Sequence, residues 1–193
     1  MSHFVGGLDL GQAADYTALA IVECVPPALH LRHLQRFKLG TTYPAVVEGV
    51  RALLLSPALL RDTVLVVDHT GVGRPVVDLL QAARLAAPLV PVTITGGDAV
   101  TYEGDCWRVP KRNLVATVQV VLQTGRLKIA EGLPEAAMLV KELLNFQVKI
   151  TANAHDTYGA WREGSHDDLV LAVALACWYA ERASGIGGSG IHI

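Results

Sequence analysis

The sequence predicts an α/β fold: a mixed sheet with three antiparallel strands first and parallel strands after, covered by helices on both faces. Three observations predict it. Hydrophobic residues make up 51% of the 193 residues and charged ones 18%, and Val, Leu and Ala dominate the apolar set. That composition suits elements buried on both sides. Three strand-like segments open the chain. Strand-like and helix-like segments then alternate.

His3 to Leu10 reads as the first strand, and Gly11 to Asp15 as a turn. Tyr16 to Val25 is the second strand, stopped by Pro26-Pro27. Leu29 to Leu39 alternates as a third. Tyr43 to Leu55 has helical spacing, and Thr63 to Asp68 is a short buried strand ending in an acid. Gly71-Val72-Gly73 turns the chain, and Pro75 sits well early in a helix reaching about Ala86. Leu89 to Thr95 is the next strand. This strand–helix–strand unit implies a parallel crossover. Gly96 to Arg108 reads as a polar loop, with mobility suggested at Gly104, and Pro110 to Thr124 as a helix. Arg126 to Ala130 is a short strand, Leu133 to Asn145 a helix and Phe146 to Thr151 an extended piece. A loop over Ala152 to Gly164 leads to a last helix from near His166 to Arg182. Residues 1–183 thus form one domain and 184–193 a Gly- and Ser-rich flexible tail. An antiparallel trio followed by parallel strands is the RNase H-like plan. A dinucleotide-binding fold would begin β-α-β.

Bulk properties narrow the function. The longest apolar run, Leu169 to Ala180, falls short of the roughly 20 residues of a membrane span. No basic-then-apolar leader is visible, so a soluble, cytoplasmic protein is expected. Cys24, Cys106 and Cys177 are isolated and odd in number, which supports neither a zinc site nor a disulfide framework. The net charge of −2 argues against tight autonomous binding to nucleic acid. It leaves room for an enzyme held on DNA by other parts.

Acids sit where elements end. Asp9 lies in the C-terminal part of the first strand, Asp68 closes the fourth, and Asp167 and Asp168 open the last helix. If the first and fourth strands are neighbours, Asp9 and Asp68 meet, and the last helix brings its first turn to the same edge. Carboxylates from separate elements suit hard divalent cations such as Mg²⁺ or Mn²⁺. Two such ions about 4 Å apart can activate water and stabilise a departing oxygen in phosphodiester hydrolysis. Each acid also has a plain structural use. Asp9 can start a turn, Asp68 can cap the coming helix, and Ser165 with Asp168 fits a capping box.

Asp15 could shape the site from the hairpin or simply form the turn. His69 and His166 flank the acids and could orient a carboxylate or water. His30 and His33, three apart on a strand, face opposite ways and are set aside. One stretch carries Arg108, Lys111, Arg112, Arg126 and Lys128 without an acid between them. It could follow a phosphate backbone, with Trp107 adding a stacking surface.

Four segments, GLDLGQAADYT, VVDHTGVGRPVVDLL, VPKRNLVATVQVVLQTGRLKIA and GSHDDLVLAVALA, resemble in order the C-terminal nuclease domain of terminase large subunits from tailed phages and prophages. The resemblance spans about residues 3–183. It implies an endonuclease that cuts concatemeric viral double-stranded DNA into head-sized lengths, leaving 5′ phosphates and 3′ hydroxyls. It implies two Mg²⁺ or Mn²⁺ ions held by Asp9, Asp68 and an acid of the HDD motif, with Asp167 favoured as ligand and Asp168 as support or cap. It also implies partners: a packaging ATPase, a terminase small subunit and a portal, in a phage-infected or prophage-bearing cell. The packaging ATPase's phosphate loop, G-x-x-x-x-G-K-[ST], does not occur in these residues, so no nucleotide cofactor is expected and this chain would not be the motor. Alternatives from the residues are a RuvC-like junction resolvase with the same acids, and a catalytically inactive module of a packaging complex. A third, a nucleotide-binding protein of the actin/Hsp70 type, needs two lobes and a longer chain.

Overall fold

The computed structural model describes residues 3–11, 15–60, 62–71, 74–152 and 167–186. Its strands are β1 (His3–Asp9), β2 (Ala18–Val25), β3 (Ala28–Arg36), β4 (Thr63–Asp68), β5 (Leu89–Thr95), β6 (Thr101–Glu103), β7 (Cys106–Pro110) and β8 (Leu127–Ile129). Its helices are α1 (Tyr43–Leu54), α2 (Arg74–Ala82), α3 (Lys111–Gln123), α4 (Ala136–Ala152) and α5 (Asp168–Ile186). The strands form one mixed sheet in the order β6-β7-β5-β4-β1-β2-β3-β8. β1, β2 and β3 pair antiparallel, while β4 joins β1 and β5 joins β4 in parallel.

Successive strand side chains face opposite ways, and the sheet uses both faces. Leu8, Leu19, Ile21, Leu65 and Val67 join Val46, Val50 and Leu54 of α1 and Val76 and Leu80 of α2. The alternate residues Val5, Ala20, Val22, Val66 and Val92 join Leu114 and Val118 of α3, Leu139 of α4 and Leu169, Val170 and Ala172 to Ala180 of α5. The helices therefore cover both faces.

Close approach of α5 depends on Gly7. A Cβ there would lie 2.0 Å from the Ala172 carbonyl oxygen and 2.9 Å from the Ala176 nitrogen. With glycine, α5 settles onto β1, and Asp168, one turn before Ala172, comes to the end of the strand where Asp9 lies.

Three expectations change. Gly96 to Arg108 is not all loop: it holds β6 and the start of β7, joined at Gly104 and Asp105, whose φ values are +56° and +65°. Two successive positive-φ residues suit a tight hairpin turn. The expected extended piece Phe146 to Thr151 instead continues α4, because a helix already nucleated adds residues cheaply despite an alternating pattern. α5 runs past Arg182 to Ile186, taking in three residues assigned to the tail. The rest of that tail, the turn residues Val72 and Gly73, and the loop before His166 lie outside the described residues. Among the described residues no helix is long and apolar enough to cross a membrane.

Candidate functional site

Asp9 and Asp68 are direct register partners on the parallel strands β1 and β4. Asp9 alternates with Gly7 and Val5, and Asp68 with Val66, so both side chains stand on the face that α5 covers. Asp9, Asp68 and Asp168 are 7%, 6% and 6% exposed. Asp167 precedes the helix, less buried, with the Lys111 ammonium 3.0 Å from its Oδ2.

Such crowding is electrostatically costly. Burial pushes the Asp9 carboxyl well above the usual carboxylate range, and Asp68, Asp168 and Asp167 push in the same direction in that order, with Lys111 opposing. Asp68 is held by local bonds. Its Oδ1 accepts from the Thr70 backbone N–H at 2.7 Å and from the Thr70 hydroxyl. The Thr70 oxygen in turn accepts from the Ile94 N–H at 2.7 Å. Asp68 is thus fixed from β5 as well as from its own strand.

Sequence reasoning missed Glu142 of α4, 4% exposed. Its Oε2 accepts from the backbone N–H groups of Leu169 at 3.1 Å and Val170 at 3.3 Å, satisfying donors that the start of α5 cannot pair within the helix. Its Oε1 accepts from Arg36 of β3. Burial raises the Glu142 carboxyl to about 7, against the lowering effects of Arg36 and the Val170 N–H, and with a further push from Asp168. Arg36 Nη2 also lies 3.7 Å from Asp168 Oδ2, and the guanidinium carbon sits 4.7 Å from the centre of the Tyr16 ring. The capping role offered to Asp168 is thus filled by a residue on another helix. A mid-helix glutamate gives no local signal of that.

Other predicted residues scatter. Asp15 is exposed in the β1–β2 connection. The His69 ring turns to Cys106 Sγ at 3.2 Å and Thr93 Oγ1 at 3.3 Å. Thr93 and Cys106 alternate with Val92 and Trp107, so this contact lies on the sheet face away from the acids. His166 lies outside the described residues. The basic stretch divides as well. Lys111 adjoins the acids, Arg112 pairs with Asp98 at 2.5 Å, and Arg126 pairs with Glu181. Arg108 on β7 and Lys128 on β8 are exposed, six strand steps apart in the sheet order. At about 4.8 Å per step that is roughly 29 Å. Trp107 is half-buried beneath Arg182, whose guanidinium carbon is 4.2 Å from the ring centre. Cys24 and Cys177 are buried, and burial pushes their thiols up to about 11 and about 12, as suits inert core thiols.

As they stand, no three His, Cys, Asp or Glu groups among the described residues are grouped closely enough to hold one metal ion. The chemistry of the donors nevertheless fits a hard cation. They are carboxylates from β1, β4 and the start of α5, they are mostly buried, and they repel one another. A divalent ion bound there would relieve the repulsion that burial intensifies.

No protein-family model matches the chain, and no curated protein matches its sequence. Solved structures do match. The large terminase nuclease from thermophilic phage G20c superimposes with a TM-score of 0.61 at 20% identity, covering 91% of this chain and 81% of that one. The human cytomegalovirus terminase nuclease domain, in a manganese-soaked form, gives 0.60 at 14% identity, covering 95% and 87%. The large terminase of another thermophilic bacteriophage gives 0.52 at 10% identity, covering 73% of this chain and 31% of that longer one. With its antiparallel β1–β3, its parallel β4 and β5 and its two helical layers, the chain has the RNase H-like fold of terminase nuclease domains.

Proposed function

We propose that this chain is a metal-dependent endonuclease domain that cleaves double-stranded DNA during viral genome packaging. The observation that carries the reading is the register pairing of Asp9 with Asp68 on the face covered by α5, whose first turn brings Asp168 to the same edge. Asp9, Asp68 and Asp168 would hold Mg²⁺ or Mn²⁺, with Asp167 beside them. The deeper burial of Asp168, and the Lys111 ammonium already paired with Asp167, favour Asp168 over Asp167 as the principal ligand of the pair. This reverses the preference drawn from sequence.

Two bound ions would supply the activation of water and the neutralisation of the leaving oxygen. The chain's own residues do the positioning. Asp9 and Asp68 are set side by side by the ladder between β1 and β4. Thr70 fixes the orientation of the Asp68 carboxylate through two bonds to one of its oxygens. Lys111 keeps a positive charge at the edge where a phosphate would approach. Arg108 alternates with Trp107 and faces away from the acids, and the net charge of −2 gives little grip on DNA. Affinity would therefore come from partners: a packaging ATPase, a small subunit or a portal. The superposition on part of a longer phage large terminase, and on nuclease structures carrying magnesium or manganese, supports this reading.

The test is to incubate the purified chain with supercoiled plasmid and Mg²⁺ or Mn²⁺, beside an Asp68→Ala variant and an EDTA control. Nicking and linearisation that need metal and vanish in the variant are expected. Cleavage that persists in EDTA or in the variant would refute the reading. A four-way junction added as competitor separates a resolvase, which would prefer it over duplex.

A further inference from the structure

Arg36 lies between two acids. Its Nη2 bonds directly to Glu142 and makes a longer ion pair with Asp168, 3.7 Å from Oδ2 and beyond hydrogen-bonding range. The Arg36 side chain is 12% exposed, and its Nε is buried with no hydrogen-bond partner among the described residues. A buried guanidinium with a spare donor pairs with whatever carboxylate it can reach, and it prefers to do so through two N–H groups. Asp168 is within reach. A carboxylate claimed in that way has its charge already neutralised and is a poor ligand for a cation.

We propose that Glu142 is the counter-ion that stops Arg36 from closing its long ion pair with Asp168 into direct hydrogen bonds, and that Asp168 retains more of the charge a divalent cation needs because of it. Glu142 touches neither ion nor DNA; it is a positioning residue. Its placement suits two tasks at once. One oxygen holds the N–H groups of Leu169 and Val170, which fixes where α5 begins. The other occupies Arg36. A helix cap alone needs only the first bond. The second ties β3, α4 and α5 together around the ligand-bearing turn, with Tyr16 against the guanidinium. The inference rests on the metal-site reading above.

The experiment is calorimetric titration of Mn²⁺ into the purified chain at about pH 8, where carboxylates are ordinarily ionised. The native chain is compared with Glu142→Gln, Arg36→Met and the double variant, each checked by a thermal melt in EDTA. Gln retains an acceptor for the α5 amides but cannot neutralise Arg36. Glu142→Gln is expected to weaken Mn²⁺ binding by about 10- to 100-fold, the usual scale for altered partners of metal ligands. Adding Arg36→Met is expected to restore it, because the freed competitor is gone. A purely structural cap predicts no such rescue. If the double variant binds as poorly as Glu142→Gln, the counter-ion role is overturned. Native affinity in Glu142→Gln overturns it too, while the metal site stands. If the native chain binds no Mn²⁺, the metal-site reading and the inference fall together. If Glu142→Gln alone does not fold, the double variant decides: native affinity upholds the proposal and lost binding overturns it.

Discussion

The two faces of this sheet are made by the same strands, yet they are built to different ends. The face toward α1 and α2 is an apolar cluster of Leu8, Ile21, Leu65, Val67, Val50 and Leu80. Its buried Thr63 is satisfied by the Leu59 carbonyl at 2.8 Å. The face toward α5 has an equally apolar body, but Asp9, Asp68, Asp168 and Glu142 are buried at one end of it. Burying charge costs free energy unless it is matched. One face therefore serves stability throughout, and the other gives up stability at one edge, where the proposed chemistry would lie.

Substitutions on the two faces should pull in opposite directions. Asp9→Asn is expected to lower metal-dependent cleavage by about a thousandfold or more, since metal-held charge stabilisation is worth several kcal/mol. It should at the same time raise the melting temperature of the metal-free chain, because a repelled, buried carboxylate becomes neutral. A plasmid assay and a melt in EDTA read both effects. Leu65→Ala, fully buried on the other face, should do the reverse. It is expected to cost about 2–5 kcal/mol of stability by denaturant unfolding, with cleavage per folded molecule unchanged. If both substitutions moved stability the same way, the contrast between the faces would be false.

Metal should recover what the acid edge gives up. At a hundredfold excess over its dissociation constant, Mg²⁺ is expected to stabilise the chain by about 2.7 kcal/mol, and Asp9→Asn should abolish the gain. A smaller effect concerns pH. Glu142 titrates near 7 in the fold against an ordinary 4.5, so folding favours its protonated form. That contribution is complete below about 4.5 and is lost as pH rises through about 7. Asp9, also raised, acts with the same sign. The metal-free melting temperature should therefore fall across this window, less steeply in Glu142→Gln. The smallest effect belongs to Lys128→Ala. On β8, at the far end of the sheet from β7, it should leave DNA affinity unchanged in a filter-binding assay, whereas Lys111→Ala, beside the acids, should weaken it.

Much of this arrangement can be read from sequence because it follows from local rules. Asp9 and Asp68 end apolar strand segments, and strand periodicity with a parallel crossover puts them together. The HDD acids open a long apolar stretch that could only be a buried helix. What stayed hidden was long-range or short. Glu142 is 27 residues from Leu169, whose N–H it accepts, and inside α4 it resembles any helical glutamate. Arg36 gives no sign in β3 of reaching α4 and α5. The hairpin of β6 and β7 was hidden in polar composition, with Gly104-Asp105 as the one cue. Lys111 and Lys128 are close in sequence but lie on different elements, so the basic run does not form one surface.

Whether the acid edge is a metal centre is tested most directly by crystallography. Crystals of the chain would be soaked in Mn²⁺ and an anomalous difference map computed at the manganese edge. Density bounded by the carboxylates of Asp9, Asp68 and Asp168 is predicted, together with its absence in crystals of Asp9→Asn. Density only elsewhere, or an acid edge that stays empty with Mn²⁺ saturating, would contradict a metal centre there.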